Sequence, residues 1–101
     1  MQSLLLADDL FPGISSGLKK NTMRNGKRDI VPGPLEFKPS SGSGQTTVVE
    51  VTAVNHCKAA DVSDEDCRAN GYRNRADMLL GMKRYYPDFG LDNEVTVISW
   101  A

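Results

Sequence analysis

Two runs of β-branched residues frame this chain, and any fold it adopts must place both in a sheet. The first, TTVVEVTAV at residues 46 to 54, sets Val49, Val51 and Ala53 on one side of an extended chain and Val48, Glu50 and Thr52 on the other. It reads as a mostly buried strand. The second, EVTVISW at residues 94 to 100, opposes Val95 and Val97 to Thr96, Ile98 and Trp100, a closing strand that pins the chain end into the sheet. Between them the period becomes helical. Ser63 can cap a short helix whose first turn holds Asp64, Glu65 and Asp66, acids favoured at the positive end of the helix dipole, and Gly71 stops it. In NRADMLLGMKRYYP, Met78, Leu79, Met82 and Tyr86 recur at three- and four-residue spacing, Lys83 and Arg84 fill the last turn, and Pro87 ends the helix. That stripe reads as a core face.

Upstream, a short N-terminal helix is expected before the strands. NGK and VPGP are turn signals, PLEF a short extended piece, and KPSSGSGQ a flexible polar hairpin tip. Phe37 and Trp100 read as core. At 101 residues the chain has room for one compact domain, residues 1–101. Helix, strands, two helices and a closing strand give an α+β fold around a small sheet or barrel, whose concave mouth suits a small ligand.

Charge narrows the partners. Twelve basic against 13 acidic side chains leave a net charge of -1, so the protein as a whole does not attract nucleic acid. A local patch is present, however: Lys19, Lys20, Arg24, Lys27 and Arg28 all fall within residues 19 to 28. The opening MQSLLLADD lacks a basic leader region and no apolar run reaches the length of a membrane span, which reads as a cytoplasmic protein, and nothing in the sequence demands more than a monomer. Cys57, Cys67 and His56 are too few for a structural zinc site, so buried or half-buried thiols are expected, with no metal and no cofactor. His56 reads as a strand-end residue.

GLKKNTMR, residues 17 to 24, is where chemistry is conceivable. Threonine is a poor nucleophile without an adjacent base, and lysine is a base near neutral pH only when burial or a neighbouring cation lowers its pKa. Lys20 and Arg24 are close enough in sequence to act on Lys19. Thr22 lies three residues beyond Lys19, so a regular strand would point them to opposite faces. A bulge or turn around Asn21 is then required to pair them.

Gly17, Lys19, Thr22 and Arg24 form G-x-K-x-x-T-x-R, followed by a turn and VPG before a strand, and this pattern resembles the ASCH domain family. EVTA at residues 50 to 53 and YYP at residues 85 to 87 extend the likeness, over nearly the whole chain, to the small bacterial N(4)-acetylcytidine amidohydrolases of that family. The resemblance implies a PUA-like β-barrel with flanking helices and a metal-independent hydrolysis of the linear amide on N4 of an acylated cytidine. The family's catalytic lysine falls on Lys19 and its threonine on Thr22, while its glutamate position falls on Asn70. Asp66, one helical turn before Asn70, is the first substitute acid and Glu50 the second. Arg24 and Asn70 are candidates to hold the modified nucleoside or stabilise the oxyanion. The nucleophile is either Thr22 or a water activated by Lys19. The alternative is an RNA-binding ASCH module with no reaction, its five cations gripping phosphates.

Overall fold

In the computed structural model, which describes residues 1–101, both β-branched runs are strands. The elements are β1 (Gln2–Leu6), α1 (Phe11–Ser16), β2 (Asn21–Asn25), β3 (Gly33–Pro39), β4 (Thr47–Lys58), α2 (Asp64–Asn70), α3 (Arg75–Lys83) and β5 (Glu94–Trp100). Single 3-10 turns at Asp8–Leu10 and Ala59–Asp61 lead into α1 and away from β4.

β4 is the hinge of the sheet. Its first half pairs antiparallel with β3, Thr47 opposite Phe37 through Val51 opposite Gly33. Its second half pairs antiparallel with β5, from Val51 opposite Trp100 to Lys58 opposite Glu94. The register slips between Val51 and Ala53, and such a bulge bends a strand and increases its twist. The sheet order is β1-β3-β4-β5-β2, with β1 parallel to β3, and its outer strands do not pair with each other. The result is an α+β fold, a curled five-stranded half-barrel with three helices, in keeping with the PUA-like architecture that the resemblance implied.

Both faces of β5 are covered. Val95 and Val97 pack with Cys67, Met78, Met82 and Phe89 on the side of α2 and α3. Ile98 and Trp100 pack with Leu6, Leu35, Phe37 and Val51 on the other, where the Phe37 and Trp100 rings meet edge to face at 5.4 Å and 62°. β4 is covered on one face only: Val48, Glu50 and Thr52 are exposed, which corrects the expectation of a mostly buried strand.

The helix limits follow local chemistry. Ser63 Oγ accepts from the Asp66 N–H at 3.1 Å, and Gly71, at φ 108°, takes the left-handed conformation that ends α2. Asn74 Oδ1 accepts from the Asp77 N–H at 2.9 Å to start α3. α3 stops at Lys83, short of Pro87, and the Tyr85 and Tyr86 N–H groups turn back onto the Met82 carbonyl. The N-terminal expectation needs correction, because a strand precedes the helix there. β1 is held by parallel pairing to β3, thirty-three residues later in register (Gln2 opposite Leu35), a partner that no local pattern reveals. Cys67 is buried and Cys57 half-buried, both as free thiols. His56 is exposed on β4, its Nδ1 3.1 Å from Thr96 Oγ1. No helix is long and apolar enough to cross a membrane.

Candidate active site

Gly17 ends α1 at φ 81° with its N–H on the Ile14 carbonyl, and the chain reverses there. The Lys19 N–H then bonds the Gly13 carbonyl at 2.9 Å, and the Lys20 N–H bonds the Ala69 carbonyl at the end of α2 at 2.6 Å. Gly13 permits this approach, since a Cβ there would stand 3.3 Å from Lys19 Cβ. β2 begins only at Asn21, so Lys19 precedes the strand and reaches the same cavity as Thr22. The two residues thus share a cavity without a bulge around Asn21, but they do not form the pair for which a bulge or turn was required.

The cavity has a volume of about 440 Å³ and lies between β1, β2, the last turn of α2, and α3 with the segment after it. Its polar side is Lys19, Thr22, Arg24 and Asn70; Leu6, Leu10 and Met82 form much of the apolar side. No Asp or Glu lines it.

Lys19 is only 5% exposed, and its Nζ donates to Asn70 Oδ1 at 3.1 Å. Asn70 Nδ2 donates in turn to the Asn21 carbonyl at 3.4 Å, which sets the amide with its oxygen toward the lysine. Burial, and secondarily the Arg24 charge, lower the Lys19 pKa from 10.5 to about 8. Thr22, 4% exposed, accepts from Arg24 Nε at 3.2 Å. Neither Nη of Arg24 has a hydrogen-bond partner, and Nη2 is sealed from solvent. Burial pulls the pKa of this guanidinium down as well.

The structure thus gathers four of the residues named from the sequence, Lys19, Thr22, Arg24 and Asn70, but pairs them differently. No hydrogen bond joins Lys19 to Thr22; their partners are Asn70 and Arg24. Neither substitute acid reaches the cavity. It touches only the end of α2, whereas Asp66 sits in the first turn, where its backbone carbonyl accepts from Asn21 Nδ2 at 2.9 Å. Glu50 lies on the exposed face of β4. The five cations do not form one patch either. Lys19 and Arg24 turn inward, Arg28 Nε bonds the Asn25 carbonyl at 3.1 Å, and Lys20 and Lys27 are exposed.

Sequence reasoning missed the aromatic wall. Tyr72, Tyr85 and Tyr86 all line the cavity, and Tyr86 had been read only as core. The available signal was the grouping of every tyrosine in the chain within residues 72 to 86. Tyr72 is seated against Gly81, where an added Cβ would overlap the ring. Burial is the main cause that pushes its phenol up to about 12. Gly81→Ala should therefore drive the ring from its seat and return the Tyr72 pKa toward 10, read by ultraviolet titration of the phenols. An unchanged titration would mean that α3 moves instead.

No family model and no curated protein matches the sequence. Two solved structures match its fold. An ASCH domain from Lactobacillus crispatus JV V101 superposes with a TM-score of 0.75 at 14% identity, over 98% of this chain and 77% of that one. Protein EF3133 from Enterococcus faecalis V583, described by the family model DUF984, gives 0.69 at 18% identity, over 99% and 78%. The chain has the fold of an ASCH domain.

Proposed function

We propose that this protein hydrolyses the amide of N(4)-acylcytidines, releasing cytidine and a carboxylic acid. The observation that carries the reading is Lys19: an almost fully buried amine in a cavity wall, held by an amide and opposed by no carboxylate. With a pKa of about 8, roughly a tenth of it is neutral at pH 7, enough for a general base.

The arrangement favours water over Thr22 as nucleophile. A lone pair of Thr22 Oγ1 is engaged by Arg24 Nε, which makes the oxygen a weaker nucleophile but leaves its hydrogen free to donate. Lys19 takes a proton from water as the water oxygen bonds to the amide carbon, and Thr22 donates to the carbonyl oxygen as it gains charge. Lys19 then gives its proton to N4 as the C–N bond breaks. The tyrosines in the lining offer aromatic surface for the cytosine ring, and the cavity volume lies within the range of about 300–1,000 Å³ usual for small-molecule sites. The dispersal of the five cations weighs against the RNA-binding alternative.

The test is chromatographic release of cytidine from N(4)-acetylcytidine by purified protein, with chelator present. Turnover is expected. If none exceeds background across several acyl groups, the proposal is wrong, and RNA affinity and its salt dependence become the quantities to measure.

A further inference from the structure

Arg24 has more donor capacity than the protein uses. Its Nε positions Thr22, while both Nη nitrogens lack acceptors. Lys19 stands close enough for the two charges to repel, and no carboxylate lines the cavity they share. A neutral ligand filling this space would close off the last solvent contact of two largely buried cations and return no charge, an unfavourable exchange in a low-dielectric site. A ligand with a permanent oxyanion at the Arg24 edge would compensate that guanidinium and leave Lys19, held by Asn70, free to act as base.

The rim cannot take that role. Arg84, the third cation of the lining, is already paired with Asp9 at 2.8 Å and lies over the Tyr85 ring at 5.3 Å. The uncompensated positive charge is therefore concentrated beside Thr22. We infer that the Nη edge of Arg24 is an anion subsite, and that the ligand this cavity takes carries a carboxylate on its acyl chain. This rests on the hydrolase reading above, in which Thr22 faces the scissile carbonyl; an acyl chain that runs on from that carbon toward Arg24, the hydrogen-bond partner of Thr22, brings its far end to the Nη edge. A sugar phosphate offers the same oxyanion chemistry but sits at the opposite end of a nucleotide from N4, away from this edge. The reaction is unchanged: water adds to the amide carbon, the C–N bond breaks, and a dicarboxylic acid leaves in place of a simple one.

The experiment compares N(4)-acetylcytidine, N(4)-succinylcytidine and the 5′-monophosphate of N(4)-acetylcytidine, with wild-type protein and Arg24→Gln, against enzyme-free controls. The succinyl substrate should exceed the acetyl one in kcat/KM by about ten- to a hundredfold, the worth of a hydrogen bond to a charged group, and Arg24→Gln should erase that preference. Equal kcat/KM values for acetyl and succinyl substrates would overturn the inference and leave the hydrolase reading standing. A preference for the phosphate in place of the succinyl group would also overturn it. If no compound is turned over, calorimetric binding of the same three still decides the matter. Tighter binding of the succinyl compound, lost in Arg24→Gln, upholds the subsite, and equal binding removes it.

Discussion

Replacing Lys19 with methionine is expected to abolish deacylation while making the protein more stable at neutral pH. Loss of a positioned general base lowers kcat/KM by about 10²- to 10⁴-fold. The gain in stability comes from the same burial. Lys19 has a folded pKa of about 8 against 10.5 in a solvated lysine. Below pH 8 both folded and unfolded chains hold the proton, so the folded protein bears the full cost of an interior ammonium. As pH rises from 8 to 10.5 the folded chain releases its proton first, and the cost is relieved. The whole interval corresponds to about 3 kcal/mol, from which the bond to Asn70 subtracts about 1 kcal/mol when methionine replaces the lysine. Denaturant unfolding should show the variant ahead of wild type at pH 7 and the gap closing between pH 8 and 10.5. The Cys57 and Cys67 thiols and the Tyr72 phenol, all with raised pKa values, oppose this trend at alkaline pH, so the comparison is between the two proteins at each pH. A gap that does not vary with pH would mean that Lys19 is not perturbed.

Asn70→Asp should slow the reaction at neutral pH. A carboxylate 3.1 Å from Lys19 Nζ in place of a neutral amide stabilises the ammonium, and opposite charges at such distances move a pKa by about 1 to 3 pH units. Lys19 would then be almost fully protonated at pH 7, and kcat/KM there should fall about tenfold for each unit. The acid limb of the pH profile should move up by the same amount, with activity regained at higher pH. A rise in activity at pH 7 would instead show that the site benefits from an acid and that Asn70 marks a weakened constellation.

The tyrosine wall and the pairing of the site residues were the parts least legible in the sequence. Tyr86 has the spacing of a core position and is in fact packed against the core, yet it also faces the cavity, because α3 ends at Lys83 and the chain turns back after it. Asp66 shares a helix with Asn70 but not the cavity, since only the last turn of α2 borders it. Spacing along one element predicts which residues share a face; it does not say how much of that face another element covers.

By itself the sequence determined the strands β4 and β5, the start and stop of α2 and the existence of α3, and it singled out Gly17 to Arg24 as the candidate stretch. The strands and α2 rest on interactions within a few residues: alternation, a serine accepting an N–H three positions on, and a glycine at positive φ. Only the tertiary structure decided that β1 is a strand, that Lys19 meets Asn70 rather than Thr22, and that no acid enters the cavity. Each of those depends on partners distant in sequence, fifty-one positions apart for Lys19 and Asn70, brought together by the curl of the sheet and by where α2 ends against β2.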